Sequence, residues 1–395
     1  MEVSANIWKL YVIKASKWLM LFMPIIWLFY KENGLSIKDL FIIQSIYSIT
    51  IAVIEIPSGY VADVLGRKNS ILIGTFFGTL GMVVYSASYG FEGFLIAALC
   101  LGIGQSFISG SDTAMMYDSL LELNRTKDFI KLEGRTISIG HFAEALAGFI
   151  GAYFLTQSTY RTPFYYQIGI AFIGFLIGLT LVEPATQKMD NGKSKPWKNI
   201  KKIIHYSLIE NVTLRLCILY SAIIGSTTLT MTWFSQPILD YIEIKGENNG
   251  LIFLILNFAV ALTAYYSYLI EKKMSTKLIL ISILILLPGS FYILYWKLTI
   301  WSLAVLLLFY LVRGIATPIL RDYQNRFTPS EMRATVMSIR SFIIRTLFAI
   351  VSPSIGYVAD VFSLQQAILL SGILFLVLGG IILLFLLQKT LNPIN

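Results

Sequence analysis

Several ionisable side chains lie within long apolar stretches, where a charge is costly unless it has a partner or a function. Glu144 and His141 are three residues apart, so they lie on one face of a predicted helix. A carboxylic acid in an apolar environment holds its proton more tightly than in water. Glu144 is therefore a candidate proton carrier, with His141 as its neighbour or as a donor to substrate; the alternative is a structural hydrogen bond to an adjacent helix. Glu55 is either a second proton carrier or a buried hydrogen-bond acceptor.

Two arginines, Arg340 and Arg345, lie in a later apolar stretch. An unpaired arginine is unfavourable there, so each pairs with an acid or holds an anionic substrate, and Arg340 could instead join a cytosolic charge network. We expect Arg345 and Glu144 to face one central cavity, about 15 Å from the starts of their helices. Trp233 and Gln236 are candidates to contact substrate, because an aromatic face suits flat or cationic organic molecules.

A third group of residues follows a fixed spacing between two apolar stretches. Gly59, Asp63, Gly66, Arg67 and Lys68 fit the pattern G-x-x-x-D-x-x-G-R-[KR]. The first glycine permits close helix approach, and the second allows a tight turn with positive φ. The aspartate places an anion near the membrane face, and the basic pair places positive charge in the loop. The spacing as a whole indicates a functional motif rather than an ordinary helix end.

The elements that must position these residues are predicted to be membrane-spanning helices. Of 395 residues, 56% are hydrophobic and 13% are charged, whereas soluble domains have about 45–50% and about 25%. This composition excludes a soluble enzyme and a disordered chain. A spanning helix needs about 20 apolar residues, and we predict an all-α polytopic membrane protein with twelve transmembrane helices in two pseudo-symmetric six-helix bundles. The predicted helices are residues 10–30, 38–58, 69–88, 92–116, 134–156, 164–183, 213–237, 249–270, 277–295, 299–320, 335–358 and 363–387.

Lysine and arginine residues concentrate on one side of these helices. If the N-terminus is cytoplasmic, the outside loops contain only Lys31, Lys38, Arg161, Lys245 and Lys297. Positive residues favour the cytoplasmic side, so we expect both termini to lie in the cytoplasm. We expect the protein to be located in the inner (cytoplasmic) membrane. We expect the first helix to be retained rather than cleaved as a signal peptide. The net charge of +9 predicts anionic lipids as partners, not nucleic acid.

The chain divides into two similar halves. Residues 184–212 are hydrophilic, basic and rich in turn residues, so we predict a cytoplasmic linker between an N-terminal bundle, residues 1–183, and a C-terminal bundle, residues 213–395. Segments of helices two, four and five match helices eight, ten and eleven at offsets of 208, 210 and 200. These similar offsets indicate an internal duplication, which is typical of transporters.

With the loop motif between the second and third of twelve helices, the chain resembles the major facilitator superfamily over its whole length. The resemblance implies two bundles that rock about a central cavity, and a motif that acts as a latch when the cavity faces outward. It implies that Asp63 meets the N-terminal end of helix eleven and that Arg67 pairs with an acid near the cytosolic end of helix four. For that acid we favour Asp118 over Asp112. The matching segment of the second half, Glu271-Lys272-Lys273, keeps the charges but lacks both glycines.

Two further segments, 109–120 and 55–59, are similar to a drug-efflux subset of this superfamily. Helix four lacks the arginine of many proton-coupled members, and helix five lacks the Gly-Pro pair of the antiporters. Despite these departures we predict a secondary active transporter of a small organic solute, with proton-coupled efflux as the first hypothesis. One alternative is a facilitator or symporter that imports an anionic metabolite. Another is a non-transporting membrane sensor or lipid-handling protein.

No sequence motif points to catalysis or to a cofactor. Cys100 and Cys217 lie far apart in apolar runs, and two histidines cannot build a metal site. The G-x-x-x-x-G-K-[ST] loop of ATP-driven pumps does not occur. We therefore expect no enzyme activity, no cofactor and no metal, and we expect a monomer.

Overall fold

The computed structural model describes residues 2–154, 159–185, 196–329 and 332–391, and every regular element in those ranges is helical. This confirms the predicted all-α fold. In lipid the backbone has no water to bind, so a helix satisfies its amides internally. The α-helices are α1 Asn6–Trp18, α2 Ile26–Glu32, α3 Ile37–Leu65, α4 Arg67–Ala87, α5 Phe91–Ile108, α6 Ser111–Glu122, α7 Phe129–Phe154, α8 Thr162–Leu179, α9 Pro196–His205, α10 Val212–Tyr241, α11 Gly246–Lys273, α12 Thr276–Trp296, α13 Ser302–Arg326, α14 Arg333–Val361 and α15 Leu364–Leu391.

Eleven segments among the described residues are long and apolar enough to cross a membrane. The remaining predicted span corresponds to α7, a helix of 26 residues with charged side chains in its first half and at Glu144. Large apolar side chains lie on the outer surface: Phe142 of α7 is 72% exposed and Ile350 of α14 is 69% exposed. Such a surface is unfavourable in water and is typical of contact with lipid.

The first predicted helix is interrupted in the structure. Between α1 and α2 the chain leaves the helix, and Met23–Ile25 form a 3-10 turn. Pro24 in this turn has no N–H to donate. The backbone N–H of Leu21 donates to Oε1 of Gln167 in α8, at 3.0 Å. A side chain of a neighbouring helix therefore supplies an acceptor that the interrupted helix lacks.

The fourth predicted helix is interrupted as well. Ser109 and Gly110 separate α5 from α6, and Gly110 has a φ of +79°. Glycine adopts this conformation without strain, whereas other residues do not. The polar helix α6 therefore begins as a separate helix at Ser111, and it extends past residue 116, the predicted end of the fourth helix.

Contacts within the chain divide it into two compact units. Unit 1 comprises Met1–Ser36, Ile46–Lys193 and Lys245–Leu254. Unit 2 comprises Ile37–Ser45, Ser194–Ile244 and Ile255–Asn395. The first residues of α3 thus belong to unit 2, and the first residues of α11 belong to unit 1. The bundle boundaries at residues 183 and 213 stay predictions.

Unit 1 contains an aromatic core at the ends of α2, α4 and α8. The rings of Phe29 and Phe164 are fully buried, with centroids 4.2 Å apart. The hydroxyl groups of Tyr30 and Tyr85 share a short hydrogen bond in the same cluster. Aromatic pairs of this kind stabilise a core beyond the area that they bury.

Arg161, predicted in an outside loop, closes this core and is only 7% exposed. Its guanidinium donates to the carbonyl oxygens of Ser86 and Ser88 at 2.6 and 2.7 Å. It also donates to Oδ1 of Asn33 at 2.7 Å and lies 3.9 Å from the ring centroid of Tyr89. A buried cation is tolerated when its donors are satisfied. Arg161 therefore joins the ends of α2, α4 and α8.

Unit 2 is held together around α10. The ring of Phe234 in α10 contacts Phe41 of α3 at 5.0 Å and Phe291 of α12 at 6.5 Å between centroids. The hydroxyl of Tyr220 donates to the carbonyl oxygen of Leu280 at 2.7 Å. One helix thus packs against both the start of α3 and the length of α12.

The predicted linker, residues 184–212, contains a helix in its second part. α9 is followed by a π-helical turn, Tyr206–Glu210. Ile203 of α9 packs against a buried cluster that includes Leu214 and Val336. This part of the linker is therefore attached to unit 2, while residues 186–195 lie outside the described ranges.

The close approach of the interrupted first helix to α7 can be tested. A Cβ at Gly151 would lie 1.7 Å from the carbonyl oxygen of Leu21, so Gly151→Ala must displace backbone. We expect a loss of about 1–3 kcal/mol of stability, measured as a lower unfolding temperature in detergent. Gly134→Ala is the matched control on the same helix, because a Cβ there meets nothing within 4 Å. Equal unfolding temperatures of the two variants would contradict this packing.

Candidate functional site

The loop motif lies at the start of α4. Gly66 has a φ of +100°, and α4 begins at the next residue. The two carboxylate oxygens of Glu183 accept the backbone N–H groups of Arg67 and Lys68, at 2.8 and 2.7 Å. The first amides of a helix have no acceptor within it, and the helix dipole favours an anion there. Glu183, which the sequence analysis did not identify, therefore belongs to the motif.

Gly66 is required for two separate reasons. Its backbone has the positive φ that other residues rarely adopt. In addition, a Cβ at Gly66 would lie 2.7 Å from Oε2 of Glu183. A side chain at this position would therefore displace the carboxylate from the start of α4.

The predicted acids of α6 have different partners. Nε of Arg67 lies 3.8 Å from Oδ2 of Asp118, the acid that we favoured from the sequence. Asp112 instead pairs with Lys14 of α1, with 3.1 Å between Oδ2 and Nζ. Thr113 next to it donates to Oε1 of Glu133 at 3.0 Å. These contacts connect α1, α4, α6 and α7 at one end of unit 1.

The glycine in the first half of the motif, Gly59, has no close neighbour. A Cβ at Gly59 would meet no atom within 4 Å, so the close helix approach expected there does not occur in this structure. The side chain of Asp63 lies outside the described part, and so does that of His141. The roles of these two residues stay predictions.

Unit 2 also contains a charge pair, as unit 1 does with Arg67 and Asp118. Arg326, at the end of α13, contacts Glu271 near the end of α11 and lies 2.6 Å from Asp322. This pair does not repeat the first one position by position, because Glu271 lies at the end of α11 and aligns with Asp63 at the end of α3, whereas Arg67 lies at the start of α4. This pairing forms without the glycines that the second segment lacks.

Glu144 and Glu55 are half-buried in α7 and α3. Glu144 lies fifteen residues after the first residue of α7, which is about 22 Å along the helix axis. This depth exceeds the expected value because α7 begins at Phe129 rather than near residue 134. Glu144 still occupies the middle part of its helix, between charged first turns and an apolar end.

Arg340 is the most buried arginine of α14, at 8% exposure. Among the described residues its hydrogen bond runs from Nε to Oγ of Ser221 in α10, at 2.5 Å. The charged group that interacts electrostatically with the Arg340 guanidinium is Arg321, a second cation. A guanidinium has five N–H donors, and within the described part of the chain the one with a hydrogen-bond partner is Nε of Arg340.

Two further arginines lie at greater depth in unit 2. Arg345 is half-buried one and a half turns further along α14. Arg313 of α13 donates to Oγ1 of Thr232 at 2.7 Å and lies 5.4 Å from the ring centroid of Tyr310. A hydroxyl group and an aromatic face therefore hold this cation. The described acids of unit 2 are near helix ends: Asp39, Glu210, Asp240, Glu243, Glu271, Asp322 and Asp360.

Trp233 and Gln236 are both buried in α10, at 7% and 6% exposure. Trp233 directly follows Thr232, the contact of Arg313, and Gln236 lies about one helical turn beyond Thr232. In this structure they contribute to the packing of unit 2, and contact with a substrate stays a prediction.

Helical units with ionisable groups at mid-depth, and with charge pairs at one end, define a polytopic membrane transporter. A family model described as Major Facilitator Superfamily matches residues 15–353. The chain belongs to that superfamily, whose members are transporters and not enzymes.

Curated relatives and solved structures agree with this assignment. An uncharacterized MFS-type transporter of Methanocaldococcus jannaschii is 22% identical over 90% of this chain and 91% of its own. Quinolone resistance protein NorA of Staphylococcus aureus is 21% identical over 75% and 76%. The nucleoside transporter NupG has a TM-score of 0.78 at 14% identity, over 97% of this chain and 98% of its own. A D-xylose-proton symporter has a TM-score of 0.72 at 14% identity, over 97% and 95%.

The contact of Glu183 with α4 leads to a prediction. Glu183→Ala removes the acceptor of two helix-start amides, so we expect the free energy of unfolding to fall by about 1 kcal/mol. Thermal unfolding in detergent measures the loss. Asp128→Asn is the control, since Asp128 forms an exposed pair with Arg125 that contributes at most about 0.5 kcal/mol. If Glu183→Ala unfolds at the parent temperature, its carboxylate does not stabilise the start of α4.

Proposed function

We propose that this transporter is a secondary active exporter, in which protons flow inward while a small organic solute leaves the cell. Glu144 is the proton carrier, with His141 as its neighbour on α7. Glu55 serves as a second proton carrier or as a hydrogen-bond acceptor. The protein works as a monomer in the cytoplasmic membrane, with both termini in the cytoplasm and anionic lipids along the inner face.

The observation that carries this proposal is the half-buried carboxyl group in the middle of α7. An ionised carboxylate at that depth is costly, whereas a protonated one is much less so. The free energy of a conformation that encloses Glu144 therefore changes when a proton binds to it. This difference couples proton binding to the change of conformation. Glu133 on the same helix accepts a hydrogen bond from Thr113 of α6.

The relatives support export without fixing the cargo. NorA is described as a quinolone resistance protein, which is consistent with removal of an organic compound from the cell. The D-xylose-proton symporter shows that the same fold couples a solute to protons. The loop motif supports the alternation between two states through the family resemblance, which makes it a latch, and its Arg67 lies 3.8 Å from Asp118 within unit 1.

Replacement of Glu144 tests the coupling. In proteoliposomes with an imposed pH gradient, Glu144→Gln should fold normally but lose proton-driven transport, because the neutral amide cannot carry the proton. Glu133→Gln is the matched control on α7 and should keep the pH dependence, since the amide oxygen still accepts from Thr113. Proton-driven transport by Glu144→Gln at the parent rate would reject this assignment.

A second candidate function is favoured by the arginines of unit 2. Arg340 is buried beside Ser221 and Arg321, and a buried cation without an anion is unfavourable. Arg345 lies further along the same helix. A facilitator or symporter for an anionic metabolite would supply the missing negative charge from its substrate.

Binding of simple anions distinguishes this candidate. We expect at least one of succinate, citrate and inorganic phosphate to raise the unfolding temperature of the purified protein. Arg340→Gln should weaken that binding about tenfold or more, because charge-assisted hydrogen bonds are lost. Arg333→Gln is the control, since Arg333 is exposed at the start of the same helix. Unchanged stabilisation of Arg340→Gln by the anion would exclude Arg340 as its ligand.

A further inference from the structure

The sequence contains the same six residues, Gly-Tyr-Val-Ala-Asp-Val, twice. The first copy is Gly59–Val64 at the C-terminal end of α3, within the loop motif. The second copy is Gly356–Val361 at the C-terminal end of α14. Pro and Ser precede both copies at nearly the same spacing. The second copy does not belong to the loop motif, and the offsets that relate the two halves do not account for it.

The aspartate of the second copy binds the start of another helix. Oδ1 of Asp360 accepts the N–H of Ile37 at 3.1 Å, and Oδ2 accepts the N–H of Lys38 at 3.2 Å. Ile37 is the first residue of α3, so these amides have no acceptor within their own helix. The carboxylate therefore satisfies two donors and lies at the positive end of the helix dipole.

Two other residues of the second copy contribute to the same contact. A Cβ at Gly356 would lie 2.7 Å from Cα of Lys38 and 3.1 Å from Cβ of Phe41, so only glycine permits this approach of α14 to α3. The ammonium group of Lys38 lies 5.9 Å from the ring centroid of Tyr357. The glycine, the tyrosine and the aspartate of the hexapeptide thus all face the start of α3.

The first copy differs from the second at its glycine, although Tyr60 and Tyr357 are similarly exposed, at 52% and 51%. A Cβ at Gly59 meets nothing within 4 Å, whereas the equivalent glycine of the second copy is in close contact. In the predicted topology α3 runs from outside to inside and α14 runs from inside to outside. The C-terminal end of each helix therefore lies on the same side of the membrane as the N-terminal end of the other.

We propose that the two hexapeptides are reciprocal latches on α3 and α14 that engage in turn during transport. Asp360 holds the start of α3 in the state seen here and releases it in the opposite state. The resemblance to the superfamily implies that Asp63 of the first copy meets the start of α14 when the cavity faces outward, and the second copy supplies the contact for the opposite state. Asp360 is thus a positioning residue on the outer side, and the proposal rests on the alternating cycle of the proposed function but not on its proton or its cargo.

A cysteine reporter at Ser45 tests this proposal. Ser45 is 4% exposed and lies two turns after the start of α3, within unit 2. Ser45→Cys is introduced after Cys100 and Cys217 are replaced by alanine, and a membrane-impermeant maleimide is applied to intact cells. Asp360→Asn keeps the shape of the side chain but removes its charge, so we expect labelling about three- to tenfold faster. Gly356→Ala should act in the same direction, because its Cβ would push against Lys38.

Two further variants make the outcome decisive. Glu92→Gln removes an exposed carboxylate in the first turn of α5 and should leave labelling unchanged. Asp63→Asn weakens the opposite latch, so it should slow labelling. Labelling of Asp360→Asn at the parent rate would overturn the outer latch, and equal changes in Asp360→Asn and Asp63→Asn would overturn the alternation. The readout needs neither substrate nor a pH gradient, so failure of proton coupling in Glu144→Gln would leave this result unaffected.

Discussion

The start of a helix at a membrane surface has amides that need an acceptor, and this structure meets that need with carboxylates from distant parts of the chain. Glu183 accepts two N–H groups at the start of α4, and Asp360 accepts two at the start of α3. Each contact satisfies donors that water would otherwise bind and also interacts favourably with the helix dipole. Because such a contact depends on direction and charge, it holds firmly in one arrangement and is lost after a small displacement. Such a contact can therefore fix two helices to each other or connect them reversibly.

Charge in the interior is distributed unevenly between the two units. The middle of unit 1 contains a carboxyl group, Glu144, whereas unit 2 contains three arginines. Arg340 donates to a hydroxyl group, and Arg313 contacts a hydroxyl group and an aromatic ring. Replacing a buried cation by an apolar residue is often neutral or stabilising for folding alone. Stability therefore does not explain three arginines within these helices, which is the physical reason for the proposal that an anionic substrate binds to them. Unit 1 thus holds an acid in the middle of α7, and unit 2 holds cations within α13 and α14.

The helices were largely predictable from the sequence, because apolar stretches long enough to span lipid are a strong signal. The two interruptions were not recognised, although Pro24 and Gly110 mark them, because apolar residues surround both positions. The Arg67–Asp118 contact could be anticipated from a motif of local spacing. The contacts of Glu183 and Asp360 could not, since 116 and 323 residues separate these acids from the amides that they bind. Local patterns indicate which helix ends need an acceptor, but only the folded chain shows which acid reaches them.

The duplicated halves show which part of such a network is constrained. Arg67 of α4 pairs with Asp118 of α6, and in the second half Glu271 of α11 pairs with Arg326 of α13. The two pairs do not occupy equivalent positions, since Glu271 aligns with Asp63 at the end of α3, and the second segment lacks the glycines. Both halves nevertheless contain a pair of opposite charges between the ends of neighbouring helices. The glycine of the loop motif is constrained, since a side chain at Gly66 would occupy the space of the Glu183 carboxylate. In the second half no glycine is needed for the Glu271–Arg326 pair, because two side chains form it without a close approach to the backbone.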